Sequence, residues 1–507
     1  MKQLMAVGVM AGALAVTGGL VAPPATATAP TVPTALTVPT TPTAVARYTP
    51  PLPADFSQLT WHRAFRELVG KMQAEYAFTQ WKDIDFAVLR QVYRPLIKDA
   101  WRRDSRRDYY LTLRSFLHEF RDGHVSLRPD DNAVLRRWAG GGFGMTVAPL
   151  DDGTVATTWI KPKGAARRAG IKTRARILRW DDVPIKWAMR QVDTRLSPAM
   201  PTDWRVRWER SRFLVRAPIG ERRTVTFRNR GSDHPRTVVL KAHKDHMVTL
   251  DRTSLASVLA KGEWPERMID FGVLDSGYGY IRIYAEMDMP AEMPGVHKPT
   301  LRLWRNAIRE LQGTPGLIVD VRGNSGGSDE MVAHFMSSLT RKKRFYEYQN
   351  YRVPGTDEFQ IWRPDETTGT FRRYGEGVPI RPRKPRYRAP VVAVVDNATI
   401  SSGEGVAMGI AMLARRGRVV GFSGTNGSFG MAGAGALMPE GFEVHWPYGQ
   451  SLDHERIVQV DSRVGMGGVM PDHRVLMTAR NAARYAHGHD VLVEHAEHVL
   501  TTMTARG

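Results

Sequence analysis

Residues 391–408 read VVAVVDNATISSGEGVAM, and this stretch decides the fold. Its apolar, β-branched start predicts a strand with both faces covered, as in a parallel sheet between helices. The Gly-, Ala- and Met-rich sequence that follows predicts a helix to about residue 413. Ser401 therefore lies on a turn between a strand and a helix.

Two interpretations of Ser401 follow from that position. A Ser on a strand-to-helix turn is well placed for nucleophilic attack, because the helix N-terminus stabilises negative charge and the next N–H can point at an oxyanion. Alternatively, Ser401 only caps the helix, which is a common role for Ser. Glu404 falls in the first helical turn, where a carboxylate interacts favourably with the helix dipole. This stretch alone does not separate the two interpretations.

A second turn follows another apolar segment. Residues 316–321 read GLIVDV and predict a buried strand, and residues 320–328 continue as DVRGNSGGS. Gly326 and Gly327 expose backbone N–H groups that can bind a phosphate or form half of an oxyanion hole. The stretch lacks the Lys-Ser/Thr ending of a Walker loop, which argues against nucleotide binding.

Composition limits the classes of partner. The chain has 507 residues, enough for two to four domains, and carries a formal net charge of +21. Such a charge favours acidic partners, and association with an anionic cell wall or membrane surface stays open. The arginines are scattered and not interleaved with aromatics, so we expect no nucleic-acid binding. The absence of Cys excludes disulfides, thiolate nucleophiles and Cys-ligated zinc.

The N-terminus predicts export. Met1-Lys2 is a short basic start, residues 4–21 are mostly apolar, and Ala25-Thr26-Ala27 offers a small-x-small cleavage site. Residues 1–29 therefore read as a secretory signal peptide, with an uncleaved membrane anchor as the alternative. Residues 30–55 are rich in Pro and Thr and predict an extended linker.

Patterning divides the remaining chain into four regions. Apolar residues spaced by three and four predict a helical N-terminal domain over residues 56–130. Short strands and turns predict a β-rich domain over 140–244, and buried-type strands an α/β core over 260–480. Within the core, residues 350–384 are polar and predict a surface excursion. Residues 481–507 predict one exposed C-terminal helix.

The β-rich region resembles a PDZ domain in the order of its elements. Its segment Gly142-Phe143-Gly144-Met145 stands where PDZ domains use backbone N–H groups to hold a peptide's C-terminal carboxylate. Gly lets the backbone approach an anion, which makes this role physically sound. The alternative is a small β-domain that binds nothing.

Together, the motifs resemble the tail-specific (C-terminal processing) serine peptidase family over roughly residues 56–480. Its members pair an Asp-x-Arg-x-Asn-x-Gly-Gly turn with a Ser-x-x-Glu segment, found here as residues 320–327 and 401–404. The sequence GVMPD at 468–472 matches a third motif of the family. The resemblance implies an α/β fold: a crotonase-like αβ-spiral peptidase core with an N-terminal helical domain and a PDZ-like domain.

One departure from the family pattern concerns the base. Many members use a Lys shortly after the nucleophile, but this chain has no Lys after Lys384. The tricorn-type branch instead takes a His from its N-terminal domain, in a segment resembling Asp-Gly-His-Thr. Asp122-Gly123-His124-Val125 fits that segment, and imidazole is the usual general base for Ser. We therefore expect His124 to activate Ser401.

The remaining roles follow from the same resemblance. The family places a Glu shortly before the third motif, but Gly465 or Met466 stands near that place in this chain. Asp461, a few residues earlier, is the best candidate for the acid, and Glu455 is the reserve. The backbone N–H groups of Ser402 and of Gly326 or Gly327 are expected to hold the oxyanion.

The sequence thus predicts a secreted serine endopeptidase that hydrolyses exported polypeptides near unstructured C-termini. It needs no cofactor and no metal; His487 and His489 lack a nearby third ligand. The alternatives are a non-enzymatic binding protein on the same core and an esterase using the same Ser and His. The oligomeric state and the cleavage preference are not indicated.

Overall fold

The computed structural model describes residues 49–255, 265–288, 298–365, 370–373, 377–462 and 465–505. The predicted signal peptide and most of the predicted linker lie outside these residues. In the described ranges, no helix is long and apolar enough to cross a membrane.

The first described region is mainly helical, as predicted. Its helices pack through buried aromatic and aliphatic side chains that recur every three or four residues, including Phe65, Phe116 and Phe120. Its elements are β1 (Ala54–Asp55), α1 (Trp61–Glu75), α2 (Phe86–Arg102), α3 (Arg106–His118), β2 (Ser126–Arg128) and α4 (Asn132–Ala139).

The second region is rich in strands, and its own core is built around Phe143, Trp180 and Phe227. One sheet has the order β10-β9-β6-β5-β4 with β7 on β6, and a small sheet has the order β11-β3-β8. The elements are β3 (Gly141–Gly142), β4 (Met145–Pro149), β5 (Val155–Ile160), α5 (Ala165–Arg168), β6 (Arg176–Trp180), β7 (Val183–Pro184), α6 (Ile185–Gln191), α7 (Asp203–Leu214), β8 (Arg216–Ala217), β9 (Arg222–Arg228), β10 (Arg236–Lys241), β11 (His243–Lys244) and α8 (Val248–Asp251).

The third region alternates strands and helices. Its elements are β12 (Ile269–Val273), β13 (Gly279–Ile283), α9 (Lys298–Leu311), β14 (Leu317–Asp320), α10 (Asp329–Leu339), β15 (Arg344–Arg352), β16 (Phe359–Asp365), β17 (Thr370–Arg373), β18 (Val378–Ile380), β19 (Val391–Val394), α11 (Ser402–Ala411), β20 (Gly417–Gly421), β21 (Gly430–Met438), β22 (Phe442–Leu452), β23 (His473–Arg474), α12 (Ala479–Ala486) and α13 (Val491–Thr504). Short 3₁₀ turns stand at Ala414–Arg416 and Pro439–Gly441.

A mostly parallel sheet with the order β12-β13-β14-β19-β20-β23 forms the centre of this region. Its apolar strands are covered on both faces, because Trp304 and Ile410 pack on one side and Leu492 and Leu500 on the other. Strands β14 and β19 are parallel neighbours, with Asp320 opposite Val394. The turns that follow them therefore leave the same edge of the sheet.

A second sheet joins the N-terminal region to the core. Its order is β1-β21-β22-β15-β16-β17, with β18 on β15 and β2 on β22. Strand β2 pairs antiparallel with β22, so that Ser126 lies opposite His445. This pairing anchors the chain two residues after His124.

The α/β class, with a helical N-terminal region and β-rich sheets, is confirmed, but two local expectations are wrong. Residues 350–384 are not only a surface excursion, because β15 ends within them and β16, β17 and β18 lie within them. The tail is not one exposed helix: Gly488, at φ +91°, lies between α12 and α13, and Val491, Leu492, Ala496, Val499 and Leu500 of α13 are buried. The predicted domain boundaries stay predictions.

Candidate active site

Ser401 occupies a strained turn between β19 and α11. Its backbone has φ +58° and ψ −133°, a region that non-Gly residues rarely adopt. Such a turn presents a Ser side chain at a helix N-terminus, where the helix dipole stabilises negative charge. The residues of α11 from Ser402 to Ile410 are buried, so the surrounding core can maintain this strain.

Glu404 fixes the turn through its carboxylate. One oxygen accepts hydrogen bonds from the Thr425 hydroxyl and the Gly427 N–H, both at 2.6 Å. The other accepts the Ser428 N–H at 2.9 Å and the Ser401 N–H at 3.2 Å. Burial raises the pKa of Glu404 to about 7, although these hydrogen bonds oppose the rise.

The Gly-rich turn after β14 lies directly against Ser401. A Cβ atom added to Gly326 would stand 2.6 Å from Ser401 Cβ and 3.1 Å from its Oγ. Only Gly permits this approach, and its φ of +81° also favours Gly.

The predicted oxyanion donors differ in how they are used. The Gly326 N–H donates to Asn324 Oδ1 at 2.7 Å, whereas the Gly327 carbonyl accepts from Ser402 Oγ at 2.8 Å. Among the described residues, the N–H groups of Gly327 and Ser402 find no acceptor. Those two N–H groups are therefore the better candidates, and their role stays a prediction.

His124 belongs to a segment that packs against the same turn. The neighbouring Gly123 N–H donates to Ser428 Oγ at 2.7 Å. A Cβ added to Gly123 would stand 2.6 Å from Ile400 Cδ1. The structure thus brings Gly123, the residue before His124, against Ser428 and the side chain of Ile400, the residue before Ser401.

The carboxylate beside His124 is that of Asp122. Its Oδ1 accepts the His124 N–H at 2.9 Å and lies 3.7 Å from His124 Nδ1. Asp461, the predicted acid, instead accepts from Trp81 Nε1 at 3.1 Å and lies 3.2 Å from Lys82 Nζ. The reserve, Glu455, is exposed.

Asp122 lies in the segment that resembles the family's Asp-Gly-His-Thr, but the resemblance assigned it no role. A signal was present, since an acid two residues before a His can accept that residue's N–H in an Asx turn. Burial lowers the pKa of His124, with Lys82 adding to this effect and Asp122 opposing it. A neutral imidazole at physiological pH is the form that accepts a proton from Ser.

Part of the chain is similar in sequence to a known peptidase family. The sequence model of peptidase family S41 matches residues 277–473, which contain both Gly326 and Ser401. This segment of the chain is therefore similar to peptidase family S41. This confirms the resemblance to tail-specific peptidases and makes the chain a serine-type peptidase. A search of the curated proteins found no match.

Solved structures extend the likeness in fold beyond the S41 segment. Mature CPAF has a TM-score of 0.58 at 15% sequence identity, covering 88% of this chain and 98% of its own. The photosystem II D1 C-terminal processing protease has a TM-score of 0.33 at 16% identity, covering 86% of this chain and 98% of its own. The tricorn protease has a TM-score of 0.38 at 14% identity, covering 87% of this chain and 37% of its own. The likeness to CPAF supports the fold alone, and assignment to the Ser/His branch stays a prediction.

The predicted carboxylate-binding segment is buried. The carbonyls of Phe143 and Gly144 accept from Ala166 and Lys161, at 3.0 and 2.9 Å. In the described part of the chain, no acceptor pairs with the N–H of Phe143 or Gly144. A Cβ at Gly142 would meet Asp245 Oδ2 at 2.4 Å, so this Gly has a packing role as well. Met145 begins β4, the end strand of its sheet, and a role of the segment in peptide binding stays a prediction.

Proposed function

We propose that this serine-type peptidase is a secreted endopeptidase that hydrolyses exported polypeptides near unstructured C-termini, with Ser401 as nucleophile and His124 as base. The close approach of Gly123, beside His124, to the side chain of Ile400, beside Ser401, carries the proposal. In the mechanism, Ser401 Oγ attacks the scissile carbonyl while its proton passes to His124. The proton then goes to the leaving amine, and water hydrolyses the acyl-enzyme.

Asp122 supports the proposed role of His124. When the imidazole accepts the Ser401 proton it becomes a cation, and the Asp122 carboxylate at 3.7 Å stabilises that charge. The N–H groups of Ser402 and Gly327 are proposed to hold the oxyanion at the start of α11.

Labelling with a fluorophosphonate and, on separate unlabelled enzyme, hydrolysis of an unstructured protein such as casein test this mechanism. Wild type should label at Ser401 and cleave, whereas Ser401→Ala should do neither. His124→Ala should lower kcat by roughly 10⁴-fold or more, and the double variant should be little worse, because triad members act as a unit. His454→Ala is the matched control, since its side chain is 73% exposed. Labelling retained in Ser401→Ala would contradict the assignment.

Export and a preference for C-terminal tails are the parts of the proposal that go beyond the peptidase chemistry. Export is supported by the signal-like residues 1–29, and mass spectrometry of the mature N-terminus from a secreting host tests it. Tail preference is supported by the unengaged N–H groups of Phe143 and Gly144.

The net charge of +21 supports association with an anionic wall or membrane, which co-sedimentation at low and high salt tests.

A further inference from the structure

Lys82 carries a buried ammonium group. It lies between α1 and α2, and only 5% of its side chain is exposed. Lys is almost never buried to this extent unless its charge is paired. Nothing in the local sequence around Lys82 explains why a Lys should be buried there.

Its partners are two buried carboxylates from opposite ends of the chain. Lys82 Nζ lies 3.4 Å from Asp122 Oδ2 and 3.2 Å from Asp461 Oδ1. It also donates to the Arg121 carbonyl at 3.0 Å. One ammonium therefore joins the acid beside His124 to the acid that the family pattern indicates.

We propose that Lys82 is a positioning residue of the peptidase site: its ammonium group, held between Asp122 and Asp461, keeps the Asp122 carboxylate fixed and charged beside His124. This inference rests on the proposed roles of Ser401 and His124. Lys82 does not touch substrate in this proposal and acts through Asp122.

The physical reason is the cost of a buried charge. Asp122 is 1% exposed, and a carboxyl group so buried would take up a proton without a compensating cation. The Tyr76 hydroxyl donates to Asp122 Oδ2 at 2.8 Å, but a neutral donor supplies no net charge. Burial is the largest effect and raises the pKa of Asp122, but Lys82, His124 and the hydrogen bonds from the His124 N–H and Tyr76 together hold the pKa below its usual value.

The pKa of Asp461, the other acid, is shifted in the opposite direction. Burial raises the pKa of Asp461 to about 8, with Asp122 and Glu404 adding to this rise and Lys82 opposing it. The titratable groups around the ammonium are thus Tyr76, Asp122, His124 and Asp461, with Glu404 acting on Asp461. Asp122 and Asp461 therefore titrate as a pair around one ammonium group, and Lys82 favours the charged form of each.

Replacing Lys82 by Met separates positioning from simple stabilisation. Without the cation, Asp122 takes up a proton at neutral pH and no longer stabilises the imidazolium. We expect kcat/KM at pH 7 to fall by about tenfold to a hundredfold, and the acidic limb of its pH profile to move up by about one unit or more. Activity should recover at higher pH, where Asp122 ionises again. Asp122→Asn should lose activity without this recovery.

Two further variants are controls for charge and fold. Lys82→Arg keeps the positive charge and should leave the acidic limb of the kcat/KM pH profile at its wild-type position. Lys71→Met removes another shielded Lys, paired with Glu75 at 2.5 Å, and should leave the limb unmoved. If circular dichroism shows that Lys82→Met is unfolded, Lys82→Arg provides the test. An acidic limb of kcat/KM at the wild-type pH supports the proposal, and a shifted acidic limb overturns it.

The outcomes also separate this inference from the proposed function. If wild type neither labels at Ser401 nor cleaves, the proposed function fails. If wild type does both, and folded Lys82→Met keeps the wild-type limb, only the role of Lys82 fails.

Discussion

The carboxylate of Glu404 accepts the backbone N–H of Ser401 at 3.2 Å. The same carboxylate accepts the N–H groups of Gly427 and Ser428, and the Ser428 hydroxyl accepts the N–H of Gly123. One buried side chain therefore connects the turn of the proposed nucleophile to the segment of the proposed base. Because Glu404 is tied to both, we expect it to set their relative position.

Glu404→Gln tests this connection. A Gln presents an NH₂ group where one oxygen now accepts two N–H or O–H donors, so the 427–428 loop and the Ser401 turn should shift. We expect kcat to fall by roughly 100-fold, as misplacement of about 1 Å can cause, and the free energy of unfolding to fall by about 1–3 kcal/mol. Peptide kinetics and urea unfolding measure the two effects. Glu443→Gln, at an exposed site, is the control, and wild-type kcat in Glu404→Gln would refute the connection.

Gly326→Ala tests the close approach of the Gly-rich turn. The added Cβ would stand 2.6 Å from Ser401 Cβ, so we expect fluorophosphonate labelling to fall by at least about tenfold. Gly355→Ala is a matched control, because Gly355 has φ +78° but no atom within 4 Å of an added Cβ. Both variants should lose about 1 kcal/mol of the free energy of unfolding from the left-handed backbone, and Gly326→Ala should lose more because its Cβ clashes with Ser401. Equal labelling of the two variants would mean that the contact at Ser401 is unimportant.

Local sequence patterns predicted the parts of the fold that depend on local physics. The strands predicted at the start of residues 391–408 and within 316–321 are present as β19 and β14, because their β-branched and apolar residues end at turns. The strand-turn-helix around Ser401 is visible for the same reason. Strands β15 to β18 were missed because they carry many polar residues, such as the buried Glu347 and Gln349, which do not resemble a core.

Long-range relationships in the site were harder to predict. The contact of Gly326 with Ser401 follows from the parallel pairing of β14 and β19, which local patterning did not show. The family resemblance implied only that both turns supply oxyanion donors. Lys82 and Asp122 were not recognised as parts of the site. Their importance depends on burial and on a partner, Asp461, that is hundreds of residues away. A single sequence shows neither the burial nor the pairing.

Stability should depend on pH through Glu286, a fully buried carboxyl group close to the Gly-rich turn. Burial raises its pKa from 4.5 to about 8, with Asp329 adding to the rise and Asn324 opposing it. Between these values the folded state binds more protons than the unfolded state. The stabilisation is therefore present at low pH and is lost as pH rises from 4.5 to about 8, with a slope of up to about 1.4 kcal/mol per pH unit.

Glu286→Gln removes this titration while keeping an oxygen that can accept from Asn324. Urea unfolding between pH 5 and 8 should show a flatter decline for the variant than for wild type. Glu310→Gln, at an exposed position, should leave the slope unchanged. Identical slopes for wild type and Glu286→Gln would show that Glu286 does not take up a proton in this range.

Recognition of a substrate tail can be measured by comparing peptides that end in a carboxylate with their C-terminal amides. The N–H groups of Phe143 and Gly144 are unengaged within the described residues, and hydrogen bonds to a carboxylate contribute about 1.5 kcal/mol or more. We therefore expect kcat/KM to be about tenfold higher for the acid than for the amide. The assay needs moderate salt, because the positive charge of the protein attracts acidic peptides without specific contacts.

Gly144→Ala should reduce this acid-to-amide ratio towards one. Gly144 has φ +75°, and an added Cβ would stand 3.2 Å from the Ala165 N, so the segment must move. Gly153→Ala is the matched control, because Gly153 lies in the same β-rich region and has φ +76°. The atom nearest to its added Cβ is the end of the flexible Lys186 side chain, at 3.8 Å. The acid-to-amide ratio of Gly153→Ala should therefore stay at the wild-type value. Equal rates for acid and amide in wild type would remove tail recognition while leaving the peptidase chemistry intact. A ratio that falls equally in both variants would assign the effect to backbone strain rather than to the segment.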